Sequence, residues 1–192
     1  MSDRMVNMKD KIILASQSPR RRELLGLITT DFQVITADVD ETIDENETAE
    51  NTVMALSKKK AQAVSGLYPG KVIIGADTIV VCDGKILGKP ENRQHAYEMI
   101  KMLSGRTHQV LTGVTITDFY KTETFFVSSD VTFFELTDEE IRTYVESGEC
   151  DDKAGSYGIQ GKGSLLVEKI SGDYFNIVGL PVSVLNKKLK EF

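Results

Sequence analysis

No apolar run in this chain approaches the ~20 residues of a membrane span. The opening stretch, MSDRMVNMKDKIILASQS, has too short an apolar segment for a secretory signal. A cytoplasmic location away from membranes is therefore expected. Cysteine is scarce. Cys82 and Cys150 stand apart, with no CxxC and no histidine cluster, so reduced thiols are expected rather than a structural zinc site. Positive charge is in deficit: 23 Lys and Arg face 29 Asp and Glu, a net charge of −6. That balance argues against a general nucleic-acid binder, which carries a basic face. It leaves room for an anionic small molecule, because a few cations in a cleft dominate the local field. Repeats, low-complexity tracts and long linkers are also missing. A chain of 192 residues buries roughly 70% of its unfolded surface without staples. One domain over 1–192 is expected, with Met1–Lys9 a flexible extension.

Several catalytic signatures are missing too. Gly161-Lys162 is followed by Gly163, so the Ser or Thr of a Walker loop is lacking. No GxGxxG follows a strand, which disfavours a dinucleotide site. His95 and His108 have no Ser or Cys nucleophile nearby in sequence, so a triad has little support.

What is present reads as interleaved strands and helices. Lys11–Ala15 is a short buried strand, and Ser18 with Pro19 opens a helix over Arg20–Leu27. Phe32–Thr36 is a strand and Asp38–Glu47 an acidic loop. A helix spans about Thr48–Gly66. Val72–Val81 and Lys85–Leu87 form a hairpin around Asp83-Gly84. A helix over Asn92–Leu103 precedes strands at His108–Thr117 and Glu123–Leu136. Thr137-Asp138-Glu139-Glu140 is a capping box for a helix to about Ser147. Asp152–Gly163 is rich in glycine. Leu165–Ile170 and Tyr174–Val178 read as strands, and a helix over Pro181–Leu189 ends the chain. The order predicts a mixed sheet flanked by helices rather than a regular βαβ winding.

Three places carry chemistry. Arg20, Arg21 and Arg22 sit in the first turn of a helix, where the dipole disfavours cations. Either an anion relieves them, cradled with Ser16 and Ser18, or the helix is simply capped and its arginines enter water. Lys60 falls on the apolar stripe of Val53, Leu56, Val64 and Leu67, whereas Lys58 and Lys59 do not. It meets a carboxylate or a ligand anion, or its stem packs inward and its head reaches solvent. Asp77 interrupts a strand apolar on both faces, so it needs a partner or a task. Turn amides are the alternative. Asp77 and Thr78 should point to opposite faces, unless Gly75 bends the strand. One or two residues of the acidic loop could join Asp77 around a hard divalent cation. Gly155, Gly158, Gly161 and Gly163 alternate with Lys153 and Gln160, either a close-approach ligand loop or a glycine-rich hairpin. Gln160 has the donor and acceptor that reading a base edge requires.

Taken in order, these segments resemble the Maf family of nucleotide pyrophosphatases. The carrying stretches are ILASQSPRRRELL (13–25), Asp40-Glu41, Lys60-Ala61, GADTIVV (75–81), GKP (88–90), MLSGRTHQVLTGV (102–114), DKAGSYGIQGKG (152–163) and GDYFNIVGLP (172–181). The DKAGSYGIQG form is similar to the branch acting on dTTP and UTP, not the one linked to 7-methyl-GTP. The resemblance implies an α/β fold of the Maf/ITPase-like kind, with a mixed elongated sheet and two lobes around a central cleft, often in a homodimer. It implies hydrolysis of a nucleoside triphosphate between the α and β phosphates, with Mg²⁺ or Mn²⁺. By motif position, Asp77 corresponds to the proton acceptor. Arg20, Thr78 and Gln160 fall at pyrimidine-selectivity positions, and Ser16, Arg21, Glu41, Lys60, Lys89 and Lys153 at other cleft positions. Glu41 and Asp77 are the expected metal ligands. The rivals are a non-enzymatic nucleotide sensor linked to septum formation and a broader pyrophosphatase for modified nucleotides.

Overall fold

The computed structural model describes residues 12–36, 38–42, 47–118 and 120–192. The expected Met1–Lys9 extension, and Asp44 and Glu45 of the acidic loop, lie outside them. Strand β1 (Ile12–Ala15) is buried at every position, because it runs parallel between β2 (Phe32–Val34) and the long β3 (Val72–Cys82). Strands covered on both faces need apolar side chains throughout, which explains IILA and the near-continuous VIIGADTIVVC. The short β4 (Lys85–Leu87) folds back on β3 through Asp83 and Gly84, at φ 50° and 76°. Two successive positive φ values match the twist of a two-residue hairpin. Strands β5 (Thr107–Thr117), β6 (Thr122–Phe133) and β7 (Val167–Ser171) continue the sheet antiparallel. The order β2-β1-β3-β5-β6-β7, with β4 beside β3, is the mixed sheet the sequence predicts.

Helices cover both faces. Odd-numbered β3 residues point toward α2 (Ala49–Ser65). Ile73 packs with Ala61 and Val64, and Ile79 and Val81 with Val53. Even-numbered ones enter the larger core. That core takes side chains from α1 (Pro19–Gly26), α3 (Arg93–Leu103), α4 (Asp138–Glu146), α5 (Tyr174–Val178) and α6 (Val182–Glu191). Ser18 caps α1 by accepting from the Arg21 amide at 3.4 Å, and Thr137 with Glu140 forms the capping box of α4.

Gly75 does not bend β3. Pairing with β5 runs unbroken from Ile73↔Thr117 to Val81↔Gln109. Its missing side chain serves α2 instead: a Cβ on Gly75 would overlap the Ser57 carbonyl, and one on Gly113 the Val53 carbonyl. The two glycines let the helix that carries Lys60 lie directly on the sheet. Gly75→Ala should therefore push α2 outward. Overpacking of this kind costs about 1–3 kcal/mol, and urea titration measures it. A variant as stable as the wild type would show that α2 has slack at this contact.

Two other sequence expectations are corrected. Tyr174–Val178 is helix α5, not a strand. Its five residues are too short for periodicity to decide, and the ends decide instead: Asp173 Oδ1 accepts from the Phe175 amide at 2.8 Å, and Gly179 at φ 126° stops the helix. The glycine-rich segment is neither hairpin nor open loop. It folds into two short 3₁₀ turns, Ala154–Ser156 and Gly161–Leu166, so β7 begins at Val167 rather than Leu165.

Candidate active site

The site begins as a break in the sheet. β5 covers one edge of β3 throughout. On the other edge, β1 stops pairing at Ala15↔Gly75, and β4 begins at Val80↔Leu87. Ala76–Ile79 has no strand partner on that edge among the described residues. The gap is about 13 Å long at ~3.3 Å per residue. It lies beyond the C-terminal end of β1, where open α/β sheets receive ligands. The break answers the difficulty of Asp77 and Thr78. They do point to opposite faces, yet both flank the same opening, so no bend is needed.

On the α2 face, Lys60 Nζ lies 2.5 Å from Asp77 Oδ1 and 2.7 Å from Glu41 Oε1. The Lys60 and Asp77 side chains are only 14% and 12% exposed, so their charges meet with little screening. The inward lysine has found carboxylates, and Asp77 has a lysine partner rather than turn amides. Burial pushes the Glu41 carboxyl up, but the bond to Lys60 and the charges of Lys60, Lys89 and Arg21 outweigh it. The group is held below its ordinary range.

On the opposite face, Arg21 is fixed rather than solvated. Its Nε donates to the Gly179 carbonyl at 2.9 Å and its Nη2 to Thr78 Oγ1 at 2.9 Å. Nη1 reaches Ser16 Oγ at 3.5 Å. The bonds beyond Thr78 have a forced direction. Thr112 Oγ1 donates to the Asn176 carbonyl at 2.9 Å, so Thr78 must donate its own proton to Thr112 Oγ1, also at 2.9 Å. Asn176 is itself held by Nδ2 bonds to the Val110 carbonyl and to Ser129 Oγ, both 2.9 Å. Burial lowers the Arg21 pKa, Asp77 opposes that shift and Arg20 adds to it, and a guanidinium remains charged throughout. The influence of Asp77 and Glu41 on Arg21 shows that the two clusters share one field.

The remaining residues form an outer ring. Arg20 pairs loosely with Asp152 at 3.8 Å, and Asp152 Oδ1 accepts from Lys153 Nζ at 2.7 Å. Lys153 also donates to the Glu149 carbonyl at 2.5 Å, so its head is turned into its own loop. Lys89 is exposed and acts on Glu41 through its charge. The Gly155 amide donates to the Gly88 carbonyl at 3.0 Å, which ties the Lys153 loop to the GKP segment. Gln160 is exposed at the mouth of the second 3₁₀ turn, and no contact places it against Lys60, Asp77 or Arg21. Sequence reasoning missed Thr112, Asn176 and the Gly179 carbonyl. Thr112 left a signal, a hydroxyl in the otherwise apolar run around Leu111. Asn176 and Gly179 lay inside the GDYFNIVGLP stretch without being singled out.

Behind the loop, buried His108 shares a 2.7 Å bond between Nε2 and the Tyr157 hydroxyl, edge-on to Phe133. Burial lowers the His108 pKa to about 4. The unfolded chain therefore binds the extra proton first, and stability falls as pH drops from about 6.5 to about 4. The loss is on the order of 3 kcal/mol at ~1.4 kcal/mol per unit. Denaturant melts across that range should lose most of this slope in His108→Phe, and an unchanged slope would assign it elsewhere.

A sequestered carboxylate, a bridging ammonium and an anchored guanidinium at a broken sheet edge define a mixed α/β protein with a cluster of matched charges at an opening in its sheet. Comparison places it further: the chain belongs to the Maf family, whose model, described as "Maf-like protein", matches residues 11–192. It is 52% identical over 182 residues to a protein of Bacillus cereus (strain G9842) named dTTP/UTP pyrophosphatase, covering 95% of each chain. A Bacillus anthracis protein of the same name is 53% identical with the same coverage. In fold, the chain is similar to the Staphylococcus aureus Ham1 protein (TM-score 0.54, 16% identity, 94% of this chain and 98% of that one). A HAM1 protein from Coxiella burnetii gives 0.51 and 14%, again over 94% and 98%.

Proposed function

We propose that this chain hydrolyses nucleoside triphosphates between the α and β phosphates, with dTTP and UTP preferred. The observation that carries the proposal is the Lys60 ammonium shared by Asp77 and Glu41 at the gap, with Arg21 anchored beside it. The names of the 52–53% identical relatives support the substrate class.

Asp77 accepts the proton of the water that attacks the α-phosphorus. A new P–O bond forms to that water oxygen while the bond to the bridging oxygen breaks. The electron pair leaves with pyrophosphate, and the proton passes from Asp77 to solvent. Arg21 and Lys60 face the charge that develops, and Lys89 approaches the leaving end, joined by Lys153 once its head leaves the Glu149 carbonyl. Ser16 orients the phosphates, and Arg20, Thr78 and Gln160 set the preference for the base.

Charge counting bears on the metal. Lys60 and Arg21 are already matched by Asp77 and Glu41, so an ionised triphosphate needs more positive charge than this inner cluster has to spare. Two carboxylates on one ammonium suit Mg²⁺ or Mn²⁺, which take one or two carboxylates and complete their shell with phosphate and water. Among the described residues no group of three His, Cys, Asp or Glu gathers, so substrate oxygens are needed as well. Glu41 and Asp77 would hold the cation, which supplies neutralisation of the phosphate charge. The proposal also takes a homodimer in the cytoplasm that acts on a small molecule rather than on nucleic acid. No helix among the described residues is long and apolar enough to cross a membrane.

A panel of nucleoside triphosphates, assayed for pyrophosphate release with Mg²⁺ or Mn²⁺, tests the reading. UTP and dTTP should be the best substrates. Preference for modified nucleotides would favour the broader pyrophosphatase, and binding without release would favour a sensor. A sensor needs the cations but no proton acceptor, and the names of the 52–53% identical relatives favour the enzyme.

A further inference from the structure

The Glu149 carboxylate has no role in the site described above, yet three parts of the glycine-rich segment are fastened to this residue. Its carboxylate accepts the amides of Lys162 at 2.9 Å (Oε2) and Gly163 at 3.0 Å (Oε1), the free N–H groups that open the second 3₁₀ turn. Its main-chain carbonyl accepts Lys153 Nζ at 2.5 Å. The Tyr144 hydroxyl reaches Oε1 at 3.5 Å and accepts the Gly158 amide at 3.2 Å, which extends the clamp to the middle of the loop. The fit is close. Gly161 sits at φ 65°, and a Cβ there would come within 2.7 Å of Oε2. Gly158 has its own reason to be glycine, since a Cβ would stand 2.8 Å from Lys153 Cε. Glycines at both places keep the chain against the clamp.

The two residues that the clamp brackets are Lys153 and Gln160. Neither has an anchor of its own suited to a ligand. Lys153 is turned back into the loop, and Gln160 is exposed two residues before the first amide that Glu149 holds. We infer that Glu149 is a positioning residue for nucleotide selection, its carboxylate holding the 158–163 turn so that Gln160 meets the base in a fixed relation. The inference rests on the pyrophosphatase reading and adds a residue to it. A carboxylate suits the task because it accepts from two amides at once. A glutamine in its place keeps one acceptor oxygen and turns an NH₂ toward a second N–H.

The test compares UTP with ATP as competing substrates of the full chain. In Glu149→Ala the ratio of their kcat/KM values should fall about tenfold or more, the scale on which small misplacements act. Glu149→Gln should fall between this variant and the wild type. Thr137→Ala, which breaks the cap of the neighbouring α4, loses stability without touching the turn and should keep the wild-type ratio. Amide hydrogen exchange supplies a readout free of turnover: Lys162 and Gly163 should lose protection in Glu149→Ala while Ile141 and Val145 keep theirs. If Glu149→Ala does not fold, Glu149→Gln carries both measurements. An unchanged ratio, or unchanged protection at 162–163, in an active variant overturns the inference alone. A wild-type protein inert toward every nucleotide overturns the pyrophosphatase reading and this inference together.

Discussion

Asp77→Asn should bind UTP almost as the parent does and turn it over 10²–10⁴ times more slowly, the span of a positioned general base. The reason is geometric. Asn keeps an oxygen for the Lys60 ammonium now 2.5 Å from Oδ1, so the lysine stays in place and the strand pairing is untouched. What disappears is a group able to take a proton, and with it one of the two carboxylate charges proposed for the cation, of which Glu41 remains. The loss should therefore fall on kcat and leave KM and the affinity for a non-hydrolysable UTP analogue nearly unchanged. Steady-state kinetics with calorimetry separate the two. Turnover near that of the parent would remove Asp77 from the chemistry, whatever its burial suggests.

Lys60→Met should damage both the fold and the reaction. The thioether fills much of the stem's volume, but Asp77 and Glu41 then face each other with no ammonium between them. Removing one partner of a buried pair costs about 3–5 kcal/mol. Part is recovered by protonation, because Lys60, ahead of Lys89 and Arg21, offsets burial at Glu41 and keeps that carboxyl below its ordinary range. The variant should thus regain stability at mildly acidic pH, opposite to the trend set by His108. Loss of a fixed positive group at the phosphates should lower kcat/KM by about 10²–10³. Lys60→Arg restores the charge but not the compact head and should recover only part of the rate. If Lys60→Met melts like the parent, the shared ammonium is not the keystone described here.

Much of this site was legible in the sequence because it breaks local rules. Lys60 stood on an apolar helical stripe, and Asp77 stood in an apolar strand. A period of 3.6 or of 2 exposes such residues without knowledge of the fold. The tight hairpin at Asp83-Gly84 and the capping box at Thr137 were legible for the same reason, since their signals lie within four residues. The gap in β3 was not. It exists because β1 stops at Ala15 and β4 ends at Leu87 opposite Val80, and where two strands end against a third is a matter of register between segments. Nor could the pattern show that Arg21 would be anchored by Thr78 and Gly179, partners 57 and 158 residues away. The helix at Tyr174–Val178 was misread because five residues, four of them apolar, suit either form, and its capping aspartate and terminal glycine settled the matter. Lys153 fell at a cleft position by resemblance, yet its ammonium turns to the Glu149 carbonyl, a bond that only the folded loop creates.

The account's central claim is attack by water at the α-phosphorus, in a cleft where Asp77 removes the proton. Hydrolysis of UTP with Mg²⁺ in water labelled with heavy oxygen, followed by mass spectrometry of both products, tests it most directly. The label should appear in UMP and not in pyrophosphate, and Asp77→Asn should suppress its uptake. Label in pyrophosphate, or release of orthophosphate and UDP, would contradict the account.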